Sequence, residues 1–157
     1  MPIITLPQLK SALPRAKRLM GIDHSKVVLG LALSNPDLTI ATPLAAIART
    51  KFKEDVVQLA KICREYDVAG FVIGLPLNMD GSEGPRTESV RHFSDNLMAA
   101  ETALGFAPLI AFFDERLSTH AAEDFLHETA KLSRDKSKGT VDKIAAQMIL
   151  QAALDRL

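Results

Sequence analysis

The stretch LMGIDHSKVVLGLALS, residues 19–34, decides the fold of this chain. Leu19 to Asp23 is a short apolar run that ends in an acid, and Val27 to Ser34 is a second apolar run. Only His24, Ser25 and Lys26 separate them, a hairpin-sized connection. A third strand is expected from Ile40 to Ile47. Pro43 lies inside it and has no amide hydrogen to give to a ladder, so this strand belongs at a sheet edge. The fold therefore opens with an antiparallel meander of three strands.

Outward from that meander the period changes. Phe52, Val56, Leu59, Cys63 and Tyr66 recur at helical spacing, with Thr50 as the expected N-cap. Cys63 falls on the apolar face, as a buried structural thiol rather than a reactive one. Ala69 to Ile73 reads as a buried strand, followed by a turn-rich loop from Gly74 to Gly84. Val90, Phe93, Leu97, Ala100 and Leu104 mark a second helix, with Pro85 in its first turn. Leu109 to Phe113 is another buried strand, ending in Asp114 and Glu115. Ser118 or Thr119 caps a third helix that carries Ala122, Phe125, Leu126 and Thr129 on one side. KLSRDKSKG, residues 131–139, is a basic loop by composition, and Thr140 is the expected N-cap of a last helix. There Lys143, Gln147, Gln151 and Asp155 form one narrow polar stripe on an otherwise apolar surface. On the other side of the meander, Met1 to Lys17 is a proline-punctuated lead-in. It is expected as a loosely held extension over residues 1–18 with one short edge strand, leaving 19–157 as a single domain.

The order β-β-β-α-β-α-β-α-α implies an α/β fold. Three antiparallel strands continue into a parallel half-sheet built by right-handed crossovers, so the sheet is mixed and five-stranded, with flanking helices. A length of 157 residues suits one domain, and 47% hydrophobic with 24% charged residues excludes a disordered chain, a collagen-like fibre and a disulfide scaffold. Apolar runs such as Ile144 to Leu150 are far too short to span a bilayer. The start of the chain, with Pro2 and Pro7, does not read as a secretory signal. Cys63 is the only cysteine, so no internal disulfide forms and a cytoplasmic location is expected. Equal numbers of acids and bases argue against coating nucleic acid by bulk charge. They leave room for a local basic patch beside an acidic metal site.

Ligands of open α/β sheets bind beyond the carboxyl ends of the strands. The apolar runs end there in Asp23 and in Asp114-Glu115, and an acid in such a place is poorly solvated unless something pairs with it. Asp142 lies in the first turn of the last helix. There it either complements the helix dipole or completes a set of hard oxygen ligands. Carboxylates without thiolates select Mg²⁺ or Mn²⁺ over Zn²⁺, and a pair of such ions stabilises the attacking and leaving oxygens of a phosphodiester displacement. Arg134, Lys136 and Lys138 precede Asp142 and could hold a phosphate backbone, with Lys143 just beyond. Arg86, at the helix start after the turn-rich loop, could receive a phosphate, and Arg116 could clamp one or pair with Asp114. His24 and His120 fall near this site, where they could assist protonation. His92 and His127 read as surface residues.

GID at 21–23, GLPLNMDGSEGPR at 74–86, FFDERLSTHAAEDFL at 112–126 and VDKIAAQMILQAALD at 141–155 resemble the YqgF family. Its members are described as pre-16S rRNA nucleases and as Holliday-junction-resolvase-like proteins. The resemblance runs from about Leu19 to Asp155, with all four motifs in order. It implies a ribonuclease-H-like fold and cleavage of structured nucleic acid with divalent metal. The family's acidic positions fall on Asp23, Glu115 and Asp142, with Asp114 behind them. The substrate so implied is the 5′ end of pre-16S RNA, in contact with the small ribosomal subunit. The alternatives are a four-way DNA junction, which needs a dimer rather than a monomer, and a non-catalytic ribosome-assembly or transcription-associated factor. The sequence departs from the family where a glycine and a basic pair usually stand, at Ser25, Val27 and Val28. An altered turn after Asp23 and weaker nucleic-acid binding are expected from that. A sugar-kinase-like ATPase would need two such domains, and this length supplies one.

Overall fold

The computed structural model describes residues 3–117 and 140–157. Its centre is a five-stranded sheet in the order β3-β2-β1-β4-β5. β1 (Arg18–His24), β2 (Val28–Ser34) and β3 (Ala41–Ala48) form the antiparallel meander. β4 (Val68–Leu75) runs parallel to β1, and β5 (Leu109–Asp114) runs parallel to β4. β3 is the edge strand that Pro43 required, and the ladder between β2 and β3 slips just where Pro43 faces Ala32.

Two apolar layers sandwich the sheet. On one face lie α2 (Phe52–Tyr66), α3 (Pro85–Met98) and the one-turn α4 (Glu101–Leu104), closing over Ile22, Leu31, Phe71 and Ile73. Cys63 is buried in this layer, where burial pushes its thiol up to about 12, so the structural reading of that residue holds. On the other face lie α1 (Leu6–Ala12) and α5 (Thr140–Leu154), packed on Leu19, Ala32, Val72 and Phe113. Successive strand residues alternate between these faces. Leu19, Gly21 and Asp23 therefore face α5, while Met20, Ile22 and His24 face α2 and α3.

Several expectations need correction. The lead-in is not a loose strip: after one parallel bridge from Ile4 to Ala111 it forms α1, whose Leu9 is fully buried. Thr5 and Gln8 close a reciprocal capping box at its start, with Pro7 in the first turn. The N-cap of α2 is Lys51, not Thr50. Thr50 instead donates from its amide and its hydroxyl to the Asp55 carboxylate, at 3.1 and 3.0 Å. The helix expected from Pro85 to Leu104 is broken at Ala99 and Ala100 into α3 and α4. Thr140 is the first residue of α5 rather than its cap. The polar stripe of that helix is not a solvent face: Gln147 donates to the Ala41 carbonyl, and Gln151 accepts from the Ala41 amide at 2.9 Å and donates to the Thr39 carbonyl. Two glutamines thus stitch α5 to the edge strand. The helix expected after Ser118 or Thr119, and the basic loop 131–139, lie outside the described residues.

Candidate active site

Three elements bring the candidate acids to the carboxyl end of the parallel strands. Asp23 is the penultimate residue of β1. Glu115 opens a 3-10 turn that directly follows β5, and Asp142 sits in the first turn of α5. Glycine makes this closeness possible. A Cβ on Gly30 would lie 2.0 Å from the Asp142 carbonyl oxygen, so the first turn of α5 rests directly on the β2 backbone. A Cβ on Gly74 would lie 2.6 Å from Glu115 Oε1 and 2.7 Å from Ile149 Cδ1. The sheet is stripped of side chains where α5 and the Glu115 carboxylate must approach.

The electrostatics identify the centre of the cluster. Burial, then the charges of Glu115 and Asp142, push Asp23 up to about 7, against a weaker opposing pull from Arg86. Burial also raises Glu115, with Arg86 again opposing and Asp114 adding to the rise. Carboxylates that crowd one another in this way are short of positive charge. Their donor set is hard oxygen only, the chemistry that fits Mg²⁺ or Mn²⁺. Among the described residues no group of three or more His, Cys, Asp and Glu side chains is already arranged to hold one ion. The acids are close enough to raise one another, but they are not closed into a cage.

The other expected site residues divide. Asp114 does not join the cluster. Arg116 donates to it from Nε and Nη2 at 2.7 to 3.1 Å, which holds the Asp114 carboxyl below its ordinary range. Arg116 thus takes the second of its two expected roles and pairs with Asp114, while its Nη1 donates to the Met79 carbonyl in the 74–86 loop. Arg86 is exposed at the start of α3, and its charge acts on Asp23, Glu115 and His24. Lys143 is partly buried on α5. Arg134, Lys136, Lys138, His120 and His127 lie outside the described residues, and His92 is exposed on α3, as expected.

His24 is a correction. One residue after Asp23, it turns to the opposite face and packs its ring 4.9 Å from that of Phe93. Its Nε2 accepts from Arg49 Nη1 at 2.9 Å, and burial followed by the Arg49 and Arg86 charges lowers it to about 4. It is neutral at physiological pH and faces away from the acids, so it shuttles no proton there. Arg49 also donates to the Ser25 carbonyl and to Asp55 Oδ2, at 2.9 and 2.8 Å. This brace of Arg49 and Asp55 holds the turn that follows Asp23, and sequence reasoning missed it. Its one visible signal was an Arg-Thr pair, residues 49 and 50, six and five positions ahead of an acid in the first turn of a helix.

The turn after Asp23 is closed by the Ser25 side chain. No residue of the 25–27 turn adopts positive φ. The Ser25 hydroxyl accepts from the Val28 amide at 2.9 Å and donates to the Val28 carbonyl at 2.8 Å. A side chain closes the turn where a glycine would have used its backbone freedom.

Comparison with known proteins agrees with this architecture. A relative from Rhodospirillum centenum, named "Putative pre-16S rRNA nuclease", is 50% identical over 157 residues, covering 100% of this chain and 83% of the relative. One of the same name from Rhodobacter capsulatus is 50% identical over 148 residues, 94% of this chain and 89% of the relative. Among solved structures, RuvC of Thermus thermophilus with a Holliday junction superposes with a TM-score of 0.55 at 14% identity, covering 89% of this chain and 95% of that one. The fowlpox virus Holliday junction resolvase gives 0.51 at 11% identity, over 89% and 99%. These two likenesses bear on the fold, which is that of ribonuclease H. The sequence model of the family described as "RuvX: Holliday junction resolvase" matches residues 17–156, and with relatives at this identity the chain belongs to that family.

Proposed function

We propose that this chain is a metal-dependent endonuclease that cleaves the phosphodiester backbone of structured nucleic acid, and that its substrate is the 5′ end of pre-16S RNA. One observation carries the reading. Asp23, Glu115 and Asp142 come from three separate elements to the carboxyl end of the parallel strands, where burial, and then the charges of Glu115 and Asp142, push Asp23 up to about 7. A protein gains nothing in stability from such crowding, and sites that bind cations or do acid–base work are where it is found. The names of the close relatives supply the substrate.

Asp23, Glu115 and Asp142 would hold Mg²⁺ or Mn²⁺. When bound, such ions stabilise the attacking and leaving oxygens of an in-line displacement at phosphorus. The chain's own part is to deliver three carboxylates on a rigid frame and to present Arg86 to the phosphate they face. A water oxygen forms the new bond to phosphorus, the bond to the leaving nucleotide breaks, and the leaving oxygen takes up a proton. Lys143, and by their place in the sequence Arg134, Lys136 and Lys138, would contact the phosphate backbone. The protein acts in the cytoplasm as a monomer or weak dimer, on RNA presented by the small ribosomal subunit.

The family description favours a second reading, resolution of four-way DNA junctions. Cleavage of a 5′-extended 16S precursor, free and in small-subunit particles, separates the two when run beside a four-way junction with Mg²⁺ or Mn²⁺. Precursor trimming that is lost with chelator and in an Asp23→Asn/Asp142→Asn variant supports the first reading. Junction cleavage alone supports the second. Cleavage that survives in the folded double variant overturns the site.

A further inference from the structure

Around the β1–β2 turn from the acids, on the α2 and α3 face, two cavities of about 350 and 330 Å³ lie side by side. They share His24, Lys26 and Ser89 in their walls, so they form one groove. The first cavity adds Ser25 and Arg86, and the second adds Phe52, His92 and Asn96. Among the described residues no carboxylate lines either one. In a chain with equal numbers of acids and bases, a wall whose described residues include no acid is a selective feature. Arg49, also in the wall, is neutralised by Asp55, so the positive charge comes from the exposed Lys26 and Arg86.

The two halves differ in chemistry. The first offers two cations and the Ser89 hydroxyl, which suit a phosphate. The second offers the partly buried ring of Phe52 and the exposed imidazole of His92, with the Asn96 amide between helix and groove. Those groups suit the face and edge of a nucleobase. Such a base must be unstacked to enter, which a paired helix does not allow. Arg86 joins this groove to the acids, because its charge reaches both Asp23 on one face and His24 on the other.

We infer that this groove binds a nucleotide of single-stranded polynucleotide flanking the cleavage point, its phosphate between Lys26 and Arg86 and its base against Phe52 and His92. The inference rests on the nuclease reading and gives it a substrate class: a nucleic acid with an unpaired tail beside the scissile bond. It also answers the loss of cations at Val27 and Val28, since Lys26 carries the charge one position earlier.

The test is binding of a fluorescent oligouridylate and its deoxy counterpart to the full chain in chelator, followed by anisotropy across a salt series. Lys26→Glu is expected to weaken binding about five- to tenfold and to flatten the slope of log K against log salt by about 0.7. His92→Ala is expected to weaken it about fivefold or more with the slope unchanged. Lys26→Arg restores native binding. Both side chains are exposed, so the variants keep the native melting temperature. Tighter binding of the RNA assigns the groove to ribose recognition, and equal binding assigns it to backbone and base faces alone. Native affinity in both variants overturns the inference, as does a loss seen only with a fully paired junction. Because nothing is cut in chelator, the outcomes separate cleanly. A protein that binds through the groove and never cleaves sinks the nuclease reading alone. One that cleaves while both variants bind like the native chain sinks the groove alone.

Discussion

Asp23 and Asp55 meet the protein interior on opposite faces of one sheet and in opposite electrostatic states. Asp55 is fully buried and fully matched: Arg49 donates to one oxygen, and the amide and hydroxyl of Thr50 donate to the other. Those hydrogen bonds outweigh the cost of burial and hold its carboxyl below the ordinary range. Asp23 meets two further carboxylates and only a weak opposing arginine, and burial first, then those charges, raise it to about 7. The difference separates an acid that builds the fold from one that the fold holds under load. Ionised Asp55 locks the brace behind the β1–β2 turn. Ionised Asp23 costs stability until a cation arrives.

Two substitutions should break this contrast from either end. Asp23→Asn is expected to lower cleavage by at least about 10³-fold, as for removal of a principal charge-stabilising group. It should also make the metal-free protein more stable at pH 8. An acid raised in the folded state keeps its proton to higher pH than the unfolded chain does. Native stability in chelator therefore falls as pH rises from about 4 to about 7, by on the order of 1–3 kcal/mol for a partly exposed carboxyl. Urea midpoints at pH 5 and pH 8 check this, and the variant should lose the slope. Added Mn²⁺ should restore native stability but not that of the variant, by about 2.7 kcal/mol at a hundredfold excess over Kd. Equal slopes in both proteins would remove Asp23 from the centre of the cluster.

Asp55→Ala should act in the opposite sense. It leaves Arg49 charged, partly buried and unmatched, at a cost of about 3–5 kcal/mol. Asp55 is lowered on folding, so its contribution is full above the unfolded value near 4 and is lost as pH falls through the folded value. Native and Asp55→Ala proteins should therefore converge in stability below pH 4 and stand furthest apart near neutrality. A constant gap across that range would mean that the brace acts by packing rather than by charge.

How much of this contrast was legible in the sequence depends on range. Asp23 could be read because a strand ending in an acid is a local pattern, and Pro43 placed β3 at the edge for an equally local reason. The capping box of α1 is also written locally, in Thr5, Pro7 and Gln8, where two prolines mask it as a punctuated loop. Asp55 gave no such signal. An acid in the first turn of a helix is explained by the helix dipole, and only the fold brings His24 and the Ser25 carbonyl to its partner Arg49. The glutamines of α5 show the same limit: their spacing marked a stripe, but period alone could not tell solvent from the bare edge of a strand 106 and 110 residues earlier. Gly30 carries no local signal inside the apolar run Val27 to Ser34, although it decides how closely Asp142 can approach.

That approach sharpens the comparison, because Gly30 lies beneath Asp142 on the loaded face and has no counterpart in the brace. Gly30→Ala places a methyl where the Asp142 carbonyl now lies, and backbone must move. A cost of about 1–3 kcal/mol is expected from overpacking. The informative readout is cleavage, which should fall further than stability does, because the start of α5 is what shifts. Native cleavage rates in a folded Gly30→Ala protein would show that Asp142 has no fixed position to lose.

The smallest effect is expected at the turn between the two aspartates' territories. Ser25 closes it by accepting from the Val28 amide and donating to the Val28 carbonyl, while Arg49 grips the Ser25 carbonyl from behind. Ser25→Gly removes the hydroxyl but supplies a backbone that can turn without it, and the Arg49 grip on the carbonyl remains. The loss should be about 0.5–1 kcal/mol in urea unfolding, the worth of the two part-buried hydrogen bonds to Val28 partly offset by an easier turn. Ser25→Ala has no such offset and should cost more than Ser25→Gly. The opposite order would mean that the turn is held by Arg49 and Asp55 alone, and that the serine fills space the brace has already fixed.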